Sequence, residues 1–315
     1  MLTQQDINEA RAIIRGKVHR TPVVSATMLG EASGTNLFLK CEMLQKTGSF
    51  KPRGALNKLA HLSAADKARG LISASAGNHA QGVAYAARLE NVRATIVMPE
   101  NAPQAKVNAV RGYGAGVVSF GTVNTMFDKA NEIQQARGLT WVHPFDDPFV
   151  VAGQATIGME ILEDVPDVDC VFVPIGGGGL IGGIASAIKL NKPSTRLVGV
   201  ETSAGAAMHA ARAAGQVVRI TRGDTIADGI GAPFIGKLPF EIAQKYVDDL
   251  VMVTDDDIIS ALKMLLERCK LLVEGAGAAG VAAILARKIS LPSNARVVAL
   301  LSGGNVDLAR LKQWL

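Results

Sequence analysis

The chain is poor in several things at once. It has three cysteines in 315 residues (Cys41, Cys170 and Cys269), far apart and in no CxxC pair. That excludes a disulfide framework or a zinc ribbon, and the thiols read as buried and reduced. Aromatic residues make up 4% of the chain and charged residues 19%. Lys and Arg are scattered singly, so the net charge of +5 builds no basic, aromatic-interleaved groove for nucleic acid. The five histidines show neither HExxH nor any paired ligand spacing, and no metal ligand is expected. The N-terminus lacks the charged-then-apolar pattern of a signal peptide. One uncharged stretch, 170–188, is long enough to test as a membrane span, but Pro174 and six glycines make it a poor continuous helix. A soluble, cytoplasmic protein without nucleic-acid or membrane partners is expected.

What is abundant is small and apolar. Hydrophobic residues reach 48% and glycine 33 positions, which argues for large cores and many tight turns rather than disorder. The length exceeds one ordinary domain, so two lobes sharing a cleft are expected. Apolar, β-branched runs recur at 92–98, 168–175, 196–201, 250–253 and 296–301. Between them lie Ala-rich stretches with apolar residues three and four apart, as in Val83–Ala87 and Met126–Ala130–Ile133. Continuous apolar strands alternating with helices predict an α/β fold with mostly parallel sheets covered on both faces. Such sheets gather ligands at the carboxyl ends of their strands.

Four loops stand out there. In VDCVFVPIGGGGLIGG, a buried strand ends at Ile175, Gly176, Gly177, Gly178 and Gly179 follow, and a helix begins near Leu180. Glycines let the backbone approach a ligand closely, and the helix N-terminus favours an anion, most naturally a phosphate. No Lys-Ser/Thr follows, so this is not a nucleotide P-loop. Gly177, Gly179 and Gly182 also fit GxGxxG, with Glu201 about 20 residues on, which leaves a dinucleotide-binding dehydrogenase as a rival. The second loop is SFKPRGA, which places Lys51 at a loop-to-helix junction with Pro52 suited to the first helical position. The helix end and nearby Arg53 would both favour the neutral, nucleophilic amine. The third, SASAGNHAQG, follows the apolar pair Leu71–Ile72 and opens a helix whose N–H groups can bind a carboxylate. The fourth, Ser302-Gly303-Gly304-Asn305, again directly follows a strand. Asp255, Asp256 and Asp257 read as acidic residues at a helix start.

Together and in this order, SFKPRGA, SAGNHAQG, GGGGLIGG and SGGN resemble the fold-type II pyridoxal-phosphate (PLP) enzymes of the threonine dehydratase and serine racemase group, over nearly the whole chain. The resemblance implies a tryptophan-synthase-β-like architecture of two lobes, each an open, mostly parallel sheet flanked by helices. It implies a large domain of residues 1–62 and 147–315 and a small, mobile domain of residues 63–146. Lys51 would hold PLP as a Schiff base, and Phe50 would pack against its ring. Asn78 would bond the ring hydroxyl, Gly176 to Gly179 with Leu180 would cradle the phosphate, and Ser302 would face the pyridine nitrogen. Ser75, Ala76, Gly77 and Asn78 would take the substrate carboxylate, and Gln154 in AGQATIG would also touch substrate. Glu274 in VEGAGA matches a position near the active site, with a turn residue the competing reading.

The implied activity is dehydration and deamination of a small amino acid, L-threonine or L-serine, to 2-oxobutanoate or pyruvate and ammonia. A serine opposite the lysine, which racemases of the group carry, is Ala76 here, so serine racemase is the lesser alternative beside a hydroxyaspartate dehydratase. The chain stops soon after SGGN, as in the short catabolic type. A homodimer or homotetramer is expected from the same resemblance.

Overall fold

The computed structural model describes residues 1–75 and 77–314. Ten strands form two sheets: β1 (Val23–Ser25), β2 (Asn36–Cys41), β3 (Leu71–Ala74), β4 (Ala94–Met98), β5 (Gly116–Ser119), β6 (Thr140–Trp141), β7 (Cys170–Pro174), β8 (Arg196–Thr202), β9 (Asp249–Val253) and β10 (Arg296–Leu301). The larger sheet has the order β1-β2-β10-β7-β8-β9 and the smaller β5-β4-β3-β6. Every pair is parallel except β1 with β2. The expected α/β class therefore holds, with two mostly parallel sheets flanked by helices.

Both faces of the sheets are buried, and the strands sort their side chains by the two-residue period of an extended chain. In the larger sheet Val171, Val173, Val298 and Leu300 join one core, while Cys170, Phe172, Val297 and Ala299 join the other. In the smaller sheet Leu71, Ile96 and Met98 face one core, and Ile72 and Val97 the opposite one. Asp255 to Asp257 open the helix Asp255–Met264, where Thr254 and Asp257 form a capping box. Cys41 and Cys170 are buried as expected; Cys269 is only half-buried.

Strand β2 was not among the apolar runs because it carries a lysine. Lys40 is fully buried and its ammonium reaches Glu160 at 2.6 Å and the Thr21 carbonyl at 2.7 Å. Next to it lies Arg53, also fully buried, bonded to Glu42 and Glu160 at 2.7 Å each. The four side chains sum to zero charge, and Thr156 and the His19 carbonyl accept from the remaining guanidinium hydrogens. This corrects the sequence reading of Arg53: its charge is spent on two buried carboxylates and does not act on the Lys51 amine.

Removing one member of such a cluster leaves uncompensated charge in the interior. The substitution Arg53→Leu strands Glu42 and Glu160 and is expected to cost about 3–5 kcal/mol, read as a lowered midpoint of chemical denaturation. An unchanged midpoint would mean that the cluster does not hold this packing together.

Candidate active site

Strands β7 and β10 are hydrogen-bonded neighbours, and β2 lies on the other side of β10, so the segments leaving their carboxyl ends emerge side by side. Across from them are the segments leaving β3 and β4. Between the two groups lies a cavity of about 600 Å³ lined by residues from all four sequence motifs. This is the position at which open α/β sheets bind ligands.

Lys51 starts the helix Lys51–Ala60, with Phe50 at the N-cap and Pro52 one position later than the sequence suggested. Its neighbour is the helix Asn78–Leu89, which reaches it through Gly82: a Cβ there would lie 2.9 Å from the Lys51 Cβ. The amine donates to the Pro144 carbonyl at 3.0 Å and stands 5.0 Å from the centre of the Phe50 ring. Burial lowers its pKa from 10.5 to about 8, although Glu274 pulls the other way. The lysine is thus poised near neutrality by desolvation, not by Arg53.

The glycine turn opens the helix Gly179–Asn191, with Gly178 at φ +90° as its N-cap, a conformation that excludes most side chains. Among the described residues, no backbone carbonyl or side chain accepts from the N–H groups of Gly176 to Leu180. Several unpaired donors at the positive end of a long helix, facing a cavity, suit a phosphate. Ser302 also lines the cavity, and its carbonyl accepts from the Phe50 N–H at 3.2 Å, tying the β10 loop to the lysine loop. Its hydroxyl has no protein partner among the described residues. The donor set, the lysine and the neutral hydroxyl together fit a phosphate-bearing aldehyde such as PLP.

Asn78 enters from the opposite side and is held at both ends of its amide. It donates to Glu274 Oε1 at 2.6 Å and accepts from Asn305 Nδ2 at 2.8 Å. Glu274 is therefore a cavity residue rather than a turn residue. Burial first, and then Asp228, raises its pKa to about 7, while Lys106 and the Asn78 hydrogen bond oppose the rise. Ser75 and Gly77 line the same wall; Ala76 lies outside the described residues.

Two readings change. Gln154 does not line the cavity: it is buried on the helix Pro148–Asp164 and packs against Gly54, where a Cβ would meet its Nε2 at 2.4 Å. Glu201 is not free to hold a ribose, because it accepts from the backbone of Met208 and His209 and from His209 Nδ1. The dinucleotide reading of the glycine spacing therefore loses its acidic partner. His79 lines the cavity but is held by the Val142 carbonyl, and burial pushes it well below the usual histidine range. Sequence reasoning did not find Lys106 and Asp228, which also line the cavity; neither belongs to a motif that could have marked it.

The lowered lysine pKa has a kinetic consequence. Capture of an aldehyde requires the neutral amine, so the rate of PLP uptake by the apoprotein should rise with pH and level off above about 8. A rate that keeps climbing well beyond that point, as for an exposed lysine of pKa about 10.4, would show that the amine is not desolvated.

Residues 14–303 match the family model for pyridoxal-phosphate dependent enzymes. An L-threonine ammonia-lyase of Thermotoga maritima is 47% identical over 98% of this chain and 77% of that protein. The L-threonine dehydratase catabolic TdcB of Staphylococcus aureus is 46% identical over 97% of this chain and 90% of its own. Among solved structures, a maize serine racemase superposes with a TM-score of 0.93 at 39% identity, covering 98% of this chain and 95% of that one. The processed form of threonine deaminase isoform 2 from Solanum lycopersicum gives 0.92 at 37% identity, covering 98% and 91%. With the lysine, the unpaired phosphate donors and the match in one place, the chain belongs to the pyridoxal-phosphate dependent enzymes.

Proposed function

We propose that the protein is a threonine ammonia-lyase, which dehydrates and deaminates L-threonine, and L-serine as well, to 2-oxobutanoate or pyruvate and ammonia. The observation that carries this reading is the convergence of Lys51, Asn78, the Gly176–Leu180 donors and Ser302 on one cavity. The chain's 46–47% identity to proteins named for threonine deamination supports the choice of substrate.

Bound PLP supplies an electron sink for the pair released when the substrate's Cα–H bond breaks. The residues supply the rest. The N–H groups of Gly176 to Leu180 would hold its phosphate, Phe50 would flank its ring, and Asn78, fixed by Glu274 and Asn305, would orient it through the ring hydroxyl. Ser302 would offer the ring nitrogen a neutral hydroxyl, which would not keep that nitrogen protonated. A neutral partner at that position would favour loss of a β-hydroxyl over slower alternatives. The Lys51 amine, whose pKa burial lowers to about 8, takes the α-proton in its uncharged form as a general base. The N–H groups that open the helix Asn78–Leu89, beside Ser75 and Gly77, would receive the substrate carboxylate. Racemisation would need a proton donor on the face opposite Lys51, and the alanine at position 76 carries none.

We read residues 63–146, which contain β3 to β6, as the smaller movable domain, and residues 1–62 with 147–315 as the larger one. Assembly as a homodimer or homotetramer and a cytoplasmic location belong to the same reading. Among the described residues, no helix is long and apolar enough to cross a membrane.

The experiment is to incubate the purified protein, reconstituted with PLP, with L-threonine and measure 2-oxobutanoate. The wild type should form it, and Lys51→Ala should lower kcat by at least about 10³-fold, within the range lost with a general base. No 2-oxobutanoate from the wild type, or full activity in the variant, would overturn the reading.

A further inference from the structure

The cavity carries a charge arrangement that the reaction above leaves unused. Lys106 comes from the helix Gln104–Gly112 beside the four-stranded sheet, and Asp228 from the segment Asp228–Ile230 on the other side. Both line the cavity, and the Lys106 ammonium reaches Asp228 Oδ2 across it at 3.2 Å. Arg310 stands 3.5 Å from the same oxygen. The Lys106 side chain is only 14% exposed, far less than a lysine needs merely to stay solvated. Its ammonium lies against the loop that opens the helix Asn78–Leu89: a Cβ on Gly77 would be 3.5 Å from Nζ.

We propose that Lys106 is a substrate-positioning residue whose ammonium shares the α-carboxylate with the N–H groups that open the helix Asn78–Leu89, and that Asp228 holds it until substrate arrives. This rests on the preceding reading of where the carboxylate binds. Three features support the exchange. At 3.2 Å the Lys106–Asp228 contact is longer than the 2.7–2.9 Å typical of a well-seated ammonium–carboxylate bond. Asp228 is 34% exposed and also has Arg310 beside it, so it stays solvated and paired when Lys106 leaves. A substrate carboxylate at a helix N-terminus beside Gly77 would gain both the helix field and a half-desolvated cation. The charge of Lys106 already reaches the cavity interior, since it opposes the upward shift of Glu274.

The two partners should therefore have opposite effects. Lys106→Gln removes the cation and is expected to raise KM for L-threonine at least tenfold, about what a charge-assisted hydrogen bond contributes, with kcat changed less than threefold. Asp228→Asn removes the competitor and should lower KM about threefold. The Ki of L-alanine, which has the carboxylate but no β-leaving group, should move with KM in both variants, and Lys106→Arg should recover most of the loss. Each variant is first checked for the visible absorbance of bound PLP. If Lys106→Gln does not retain it, Asp228→Asn decides alone. Unchanged KM in Lys106→Gln, or weaker binding in Asp228→Asn, would overturn the proposal while leaving the wild-type reaction intact. Absence of 2-oxobutanoate from the wild type would instead sink the reading on which it rests.

Discussion

A guanidinium without access to water fixes the geometry on which the site depends. Arg53 sits one turn or less from Lys51 and bonds to Glu42, directly after β2, and to Glu160, towards the C-terminal end of the helix Pro148–Asp164. Lys40 completes the cluster through Glu160. Buried ions are poor sources of net stability, because desolvation offsets most of their attraction, but they tolerate very few arrangements. Here the tolerated arrangement joins one strand and two helices, and it sets where the first turn of the Lys51 helix begins. Burial nevertheless lowers the pKa of the reactive amine, while the ion cluster is electrically neutral.

The other half of the site is built by hydrogen bonds between elements of the two sheets. Asn78 follows β3 of the smaller sheet, yet both ends of its amide are held by residues near the larger one, Glu274 and Asn305. Asn305 is anchored in turn by the Thr47 carbonyl at 2.8 Å, in the loop that leads to Lys51. The orientation of Asn78 and the position of Lys51 are thus coupled through one short chain of contacts. Two groups in the cavity, Lys51 and Glu274, are brought towards neutrality from opposite sides, to about 8 and about 7, both chiefly by burial. A cavity that holds both an acid and a base near pH 7 is suited to proton transfer at carbon.

Much of this was legible in the sequence, and the reasons differ by feature. The strands buried on both faces were visible because continuous apolar runs leave few other readings. The turn glycines were visible because they mark backbone that meets a ligand. Strand β2 was hidden by Lys40, whose carboxylate partner Glu160 lies 120 residues away and cannot be inferred from periodicity. Arg53 was misread because nearness in sequence to Lys51 suggested an electrostatic role, whereas its side chain points to Glu42, after β2, and to Glu160, 107 residues away. Gln154 carried a motif but not a direction, and the helix turns it into the packing against Gly54. Lys106 and Asp228 acquire meaning only when elements of the two sheets are brought to one cavity, because no local pattern distinguishes them from ordinary turn or surface residues; Glu274 was marked by VEGAGA, but its pairing with Asn78 was not.

The central claim is that one desolvated lysine, among all those in the chain, binds the cofactor covalently. Treating the PLP-loaded protein with borohydride, digesting it and mapping the modified peptide by mass spectrometry tests this directly. The account predicts the reduced cofactor on Lys51, in the peptide containing SFKPRGA. Label on a different lysine, or none from a protein that retains the cofactor, would contradict it.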